Sequence, residues 1–537
     1  MDRRTRRDLF WIVLFSLVFQ AFWGLRLAHP SYFDAYYYTT NAQRLAAGEG
    51  FTQEIIWQYL DDPAGLPNPS HTYWMPLPSV VGAVGYALTG TFRGGQIPFW
   101  LLAGLLPVLG YAISWRLSGG QRWQARTAAL LTAAGGWYAA KWVQPTTFSL
   151  FGWVGGGCLL LLALAHERRR PLYWGLAGLA AGLAHLARAD GILLLGIAGL
   201  LWLWQMVGGN RGKGNESTLA LRGSDRRSLG ASLLLLLGGY LLVMAPWLWH
   251  TWRVTGRPLA TAGTQTIFLT TYNDVFAYGR SFDLAHYLAW GWRNILLSKV
   301  QASWLALQTF IAVTGLTALT FFVVVGWIGL GRHPATRRFL RPFTWYTILL
   351  LLVMSLLFTF PGQRGSLLHS STALWPWSMA LVPAGIERTV VWIARRRRAW
   401  RPEQAKRIFA IMFVVMAYVI TFAVALDQPR MEAAAAVYEE VAATVPEDAV
   451  LMTGDPPGVY YHTGLRAIVA PNEPTPGMLD AADRYGATYL LLDEGRPPPL
   501  TSLYEGEVSH PRVALVRDFG AGYRLYRLLS VEEASDG

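Results

Sequence analysis

The sequence predicts a mainly α-helical, polytopic membrane bundle of about 11–13 spans, carrying a small C-terminal α/β domain. Three observations predict it. The 537-residue chain is 53% hydrophobic and only 15% charged, with a mean hydropathy of +0.28, whereas soluble domains hold about a quarter charged residues. Apolar runs long enough to cross a bilayer recur along its length. The charge is also split: residues 427–537 hold 8 basic and 18 acidic side chains, a net of −10, which leaves +23 on residues 1–426. Such asymmetry marks two environments in one chain.

The overall excess of +13 does not indicate nucleic acid, because the basic residues sit in short clusters between apolar runs. The single cysteine, Cys158, rules out a disulfide framework and a Cys-based metal site. A disordered chain is excluded by 25 Trp, 24 Tyr and 24 Phe.

The first element opens with five arginines or acids in Asp2–Arg7 and continues as an apolar run from about Leu9 to Leu27. It ends in Phe22, Trp23, Arg26 and His29 rather than small residues, so it reads as a retained helix and not a cleaved leader. Further runs follow near 76–92, 97–116, 127–141, 148–165, 172–187, 191–207, 231–249, 302–330, 343–360, 372–394 and 407–426. Five basic clusters separate them: Arg116/Arg122/Arg126, Arg168–Arg170, the 208–230 stretch with Arg211 and Lys213, Arg332/Arg337/Arg338/Arg341, and Arg395–Arg398 with Arg401. The positive-inside rule puts these and the N-terminus in the cytoplasm and the C-terminal domain outside a cell (inner) membrane. Parity then requires that 76–92 and 97–116 do not both cross fully. Pro76, Pro78 and Pro98 with Gly94-Gly95 suit an interrupted path.

The domain division expected is 1–426 for the membrane unit, with outer loops 28–75, 250–301 and 361–371, and 427–537 for the outer α/β unit. In the latter, Met431–Thr444 and Pro476–Tyr485 read as helices, and Ala449–Met452, Ala467–Ala470 and Ala487–Leu492 as strands. Val513–Asp518 and Tyr523–Leu528 read as a hairpin across Gly520 and Gly522.

Long loops gathered on one face are where a site is built. The first runs from His29 through Asp34-Ala-Tyr-Tyr-Tyr to Gly50, a helix of about three turns stopped by Gly48. Asp34 near its start is either an N-cap or a general base at the positive helix end. His71, Tyr73 and Trp74 close the loop ahead of Pro76, where aromatics usually anchor a membrane entry. Lys141 and the Arg188-Ala-Asp190 turn sit at outer span ends, and Arg253, Arg257 and Arg364 lie on outer segments with no acid nearby in sequence. Arginine on that face opposes the positive-inside bias; it either snorkels or meets an external anion such as a lipid phosphate, whose oxygens match the guanidinium fork. Tyr37, Asn273, Asp274 and His369 complete the polar residues of these loops.

The pattern resembles the GT-C membrane glycosyltransferases, in particular the bacterial relatives of protein O-mannosyltransferases and of the lipid A aminoarabinose transferase. The matching pieces are Asp34-Ala-Tyr-Tyr-Tyr with Arg44-Leu-Ala-Ala-Gly-Glu-Gly50, then Met75-Pro-Leu77, Leu186-Ala-Arg188-Ala-Asp190-Gly191, Ala245-Pro-Trp247 and Gly256-Arg-Pro258. The resemblance implies transfer of a sugar, with inversion, from a polyprenyl-phosphate donor to a protein, lipid or glycan acceptor. It implies Asp34 as base, with Lys141, Arg188, Arg253, Arg257 and Arg364 at the donor phosphate. Tyr37, His71, Tyr73, Trp74, Asn273, Asp274 and His369 would line the substrates. The chain departs from the family at Ala35, where an acid often follows the aspartate, at Lys141–Thr147, where a second acid is common, and at His250-Thr251. Without that second acid no metal site and no cofactor are expected, although a divalent cation remains compatible. Two other classes fit the same sequence: a transporter of an anionic lipid or solute, which predicts paired repeats and mid-membrane charges, and a non-catalytic scaffold that binds lipid phosphate.

Overall fold

The computed structural model describes residues 2–208, 219–259, 262–397, 400–426, 432–520 and 522–535. Arg211, Lys213 and Arg398 of the basic clusters, and the 427–431 junction between the two expected units, lie outside the described residues.

Eight helices among the described residues are long and apolar enough to cross a membrane, from Arg3–Leu25 to Pro402–Leu426, and the chain is a multi-pass membrane protein. Most expected runs correspond to one helix each. Residues 76–92 form Leu77–Thr89, 13 residues long. At 1.5 Å per residue it reaches about 20 Å, short of the roughly 30 Å hydrocarbon layer. Residues 92–117 follow as one apolar helix with Pro98 inside it. The charge pattern asks for an incomplete crossing in this pair, and the short first helix has the length such a path would have.

Three runs differ from expectation. Residues 127–141 are not continuous: the Arg122–Ala134 helix stops at Gly135, whose φ of +78° only glycine adopts freely, and the chain then turns irregularly to Thr146. Residues 302–330 divide into Trp292–Gly315 and Thr320–Gly331 across Leu316 and Thr317, both at positive φ. The 208–230 stretch, expected as a loop, is helical from Leu219, where a single helix begins that runs to Thr255. That helix packs closely on Pro171–Ala187, because a Cβ on Gly178 would lie 2.0 Å from Leu236 O. Tight helix pairs in membranes use small residues in this way.

In the first long loop β1, Thr52–Gln53, pairs with β3, Asn68–Pro69, and β2, Ile55–Ile56, joins the C-terminal strands in a six-stranded sheet in the order β2-β5-β4-β6-β8-β7, with β4 at Val450–Thr453, β5 at Arg466–Val469, β6 at Ala487–Leu492, β7 at Val513–Gly520 and β8 at Tyr523–Leu528. The strands read from sequence recur within a few residues. β5, β4 and β6 are parallel, and β7 and β8 form the antiparallel hairpin. Helix Pro456–Thr463 was not expected. Asp455 caps it by accepting from Gly458 N, and Pro456 and Pro457 occupy its first turn, where their missing N–H groups cost nothing.

The edge strand β2, Ile55–Ile56, comes from the first long loop and pairs in parallel with β5, Ile55 opposite Ala467. Tyr59 hydroxyl donates to Val469 O at 2.5 Å. Ile55 and Trp57 share a buried core with Val437, Val441 and Leu451 of the C-terminal unit and with Tyr37 and Tyr38 of helix Phe33–Ala46. The helix that carries Asp34 is thereby seated against both units.

Candidate functional site

Asp34 is the second residue of helix Phe33–Ala46, and the N-cap is Tyr32, which makes no side-chain capping bond. Asp34 is therefore not the cap. Its carboxylate sits in the first turn, at the positive end of the helix dipole, and its side chain is 24% exposed. Burial pushes its pKa up to about 6, against the opposing pull of the Arg188 and Lys141 charges.

Three other segments converge on it. The irregular turn after Gly135 delivers Lys141, whose ammonium lies 4.4 Å above the Tyr32 ring. Burial lowers its pKa and the Asp34 charge opposes the shift. The break between Pro171–Ala187 and the following span delivers Arg188. Its Nε donates to Asp190 Oδ1 at 2.9 Å and to Ser370 Oγ at 3.1 Å, so its charge is largely matched by Asp190. Ser370 Oγ also donates to Asp190 Oδ2.

The third segment is Gly362–Ser370. His369 Nε2 lies 3.5 Å from Asp34 Oδ2, its Nδ1 bonds Thr147 Oγ1 at 2.7 Å, and its ring stacks on Phe148. Burial, reinforced by Arg188 and Lys141, holds this imidazole well below its usual pKa, so it is neutral. With Thr147 donating to Nδ1, the Nε2 proton faces the carboxylate. Arg364, exposed on the same segment, places its guanidinium 5.4 Å above the Tyr272 ring. Tyr272 in turn joins Arg364 to Asp34: burial and the Asp34 charge raise its phenol to about 12, while Arg364 opposes them. Tyr73 shares the field of Tyr272, Arg188 and Asp34. At Gly365, in the middle of the segment, φ is +153°, a conformation that suits glycine alone.

The site thus gathers Asp34, Lys141, Arg188, Arg364, Tyr73 and His369 of the residues singled out from sequence. Others lie elsewhere. Arg253 and Arg257 are exposed at the end of helix Leu219–Thr255. Arg253 faces His250, which stacks against Trp247 and Phe51 rather than against the Asp34 group. His71 is 2% exposed and bonded through both nitrogens, to Ser70 and Ser79, and burial, with His250 nearby, lowers its pKa to about 3. Tyr37 is buried and its hydroxyl accepts from His71 N. Trp74 stacks on Trp57 at 4.3 Å. Asp274 is occupied by Thr270 and Thr271 in a capping box that starts the turn carrying Asn273. The hydrogen bonds and ring contacts described for Tyr37, His71, Trp74 and Asp274 involve residues other than Asp34. The residues that sequence reasoning missed are Tyr32, Thr147, Tyr272 and Ser370. Tyr272 and Ser370 stand directly beside Asn273 and His369, which were singled out, and Thr147 closes the Lys141–Thr147 stretch where a second acid is common.

The comparisons with known proteins concern the fold. Archaeal oligosaccharyltransferase AglB from Archaeoglobus fulgidus, in complex with an inhibitory peptide and a dolichol-phosphate, aligns over 92% of this chain and 70% of its own, with a TM-score of 0.55 and 14% identity. The fold is of the GT-C type. The Archaeoglobus fulgidus oligosaccharyltransferase in complex with Zn and sulfate aligns over 97% and 74%, again at 0.55 and with 12% identity. ArnT from Cupriavidus metallidurans bound to undecaprenyl phosphate covers 97% of this chain and 98% of its own, at 15% identity and a TM-score of 0.40. No family model and no curated protein matches the chain.

Among the described residues no group of three His, Cys, Asp or Glu side chains could hold a metal ion. Here Asp190 is committed to Arg188 and Ser370, so Asp34 lacks the second free carboxylate that a hard divalent ion needs.

Proposed function

We propose that this protein is a glycosyltransferase of the extracytoplasmic face of the cell membrane, moving a sugar from a polyprenyl-phosphate donor to a hydroxyl acceptor. The observation that carries the reading is a carboxylate at a helix N-terminus, partly exposed, in the field of Lys141 and Arg188 and touched by a neutral imidazole, in a GT-C-type fold. In this reading the acceptor oxygen attacks the anomeric carbon while the bond from that carbon to the phosphate oxygen breaks. The electron pair leaves with the polyprenyl phosphate and the acceptor proton passes to Asp34. Attack opposite the leaving group inverts the anomeric centre.

A carboxyl raised to about 6 is ionised at neutral pH and is a stronger base than an ordinary aspartate. Lys141 and Arg364, which have no carboxylate partner within ion-pair distance among the described residues, are the cations suited to the phosphate as it gains charge. Arg188, matched by Asp190, fixes the geometry around them. Phosphate is a good leaving group without protonation, so the second carboxylate of glycoside chemistry is unnecessary.

The test uses the purified chain in proteoliposomes with a panel of undecaprenyl-phosphate hexoses and pentoses, following release of undecaprenyl phosphate. Asp34→Asn is expected to slow release by about 100-fold or more while leaving stabilisation by undecaprenyl phosphate intact. Unchanged release in that variant overturns the base assignment. Binding without release by the wild type on any donor leaves the lipid-phosphate scaffold as the better reading.

A further inference from the structure

At the end of the bundle opposite Asp34, a cavity of about 830 Å³ opens between helices Thr320–Gly331 and Trp375–Ala394. The second of these helices starts just after His369 and runs 20 residues, about 30 Å, so the cavity and the Asp34 site lie toward opposite ends of this helix.

The cavity has two kinds of wall. Arg332, Arg388 and Arg395 gather at the helix ends. Among the described residues none of the three guanidiniums makes a side-chain hydrogen bond or ion pair, and Arg388 lies in the like-charged field of Arg332. Glu387, which also lines the cavity, acts on Arg388 through its charge but forms its hydrogen bonds elsewhere, accepting from Lys406 at 3.0 Å and from Gln124 at 2.7 Å. Room for Arg388 depends on Gly329: a Cβ there would stand 2.3 Å from Arg388 Nε. From the arginines an apolar strip runs toward the middle of the helix, formed by Ile328, Val325 and Phe321 at helical spacing. Phe321, Ile328 and Trp392 are all exposed.

We propose that this cavity binds an anionic phospholipid of the leaflet opposite the Asp34 site, with its phosphate among Arg332, Arg388 and Arg395 and an acyl chain along the Ile328–Phe321 strip. Charge complementarity decides the occupant. Three arginines with no ion-pair partner among the described residues and only one carboxylate near them call for an anion, guanidinium forks match phosphate oxygens, and the strip leads away from them along the helix as an acyl chain would. A zwitterionic lipid would bring its own cation to the same arginines. The site is independent of the sugar-transfer reading.

The experiment measures thermal unfolding of the purified full chain in neutral detergent with added phosphatidylglycerol, phosphatidylcholine or undecaprenyl phosphate. Phosphatidylglycerol is expected to raise Tm more than phosphatidylcholine, and its apparent affinity to fall about fivefold for each arginine removed in Arg332→Gln and Arg395→Gln, both exposed positions. Arg388→Gln is compared with Arg388→Lys, which keeps the charge and much of the affinity. Undecaprenyl phosphate is expected to act equally on wild type and all variants. Equal stabilisation by the two phospholipids overturns the proposal, as does an unchanged phosphatidylglycerol effect in the double variant. Loss of only the undecaprenyl phosphate effect in the variants overturns it in favour of a donor-lipid site.

Discussion

His369 Nε2 faces Asp34 Oδ2 at 3.5 Å, and the two groups are displaced from their ordinary pKa values in opposite directions by the same burial. The contact is a neutral imidazole against a carboxylate and not an ion pair. At that length the two do not hydrogen-bond, which leaves Oδ2 open to a donor such as a hydroxyl.

The first consequence is a pH dependence. A base with pKa about 6 is active when deprotonated, so turnover should rise with pH through about 6 and level off above it. Lys141 holds that pKa down, so Lys141→Met should move the limb to higher pH. Rates of polyprenyl phosphate release from pH 5 to 8 check both. The stability sign runs the other way. A carboxyl raised on folding stabilises the fold fully below its unfolded pKa, near 3.8, and this contribution is lost as pH rises through about 6. Asp34→Asn should therefore stabilise the protein at pH 7.5, by roughly 1–2 kcal/mol after allowance for partial exposure, and little at pH 4.

In the proposed reaction His369 acts through Asp34 as a positioning residue. His369→Gln should lower kcat about tenfold with little change in KM, because the aim of the base is lost while the donor cations remain. It should also raise the pH limb if the Nε2 proton favours the ionised carboxylate. Thr147→Val, which removes the hydroxyl on Nδ1, should reproduce part of both effects, and the kcat and KM split with the pH profile distinguishes positioning from simple destabilisation.

Arg188 and Asp190 are both largely buried and paired through Ser370. Asp190→Asn leaves a buried guanidinium unmatched and should cost about 3 kcal/mol, read as a fall in Tm. The unmatched charge lies in the field that acts on Asp34, so the pH limb in that variant should fall below 6.

The placement of the cations separates two groups expected to act alike. Arg364→Gln should weaken transfer by about 100-fold, the loss typical of one donor to developing charge. Arg253→Gln and Arg257→Gln, at the exposed end of a different helix, should each change it by less than about threefold. Kinetics on one donor with the three variants checks the contrast.

Much of the fold was legible because its signals are local. Apolar length located the spans, and alternation with glycine turns located β4 through β8. The two-residue β2 has no periodicity to read, and its pairing depends on a partner far along the chain. The run 127–141 is apolar throughout, so hydropathy could not show that Gly135 ends the helix. At the site, Asp34, Lys141, Arg188 and His369 stood out as ionisable groups at span ends. Tyr272 and Thr147 are ordinary residues by type, and their relevance comes from what they touch. Arg253 and Arg364 look equivalent in sequence, and helix direction alone separates them.

The seam at β2 bears on how the protein is made. Tyr59 finds its carbonyl partner 410 residues downstream, at the edge of the strand that β2 completes. During synthesis the first loop must wait, unfinished, until most of the polypeptide has emerged and its distant strand has formed. The helix that carries Asp34 settles late, and a chain cut short before β5 would have an inserted bundle but a first loop without the strand that β2 pairs with.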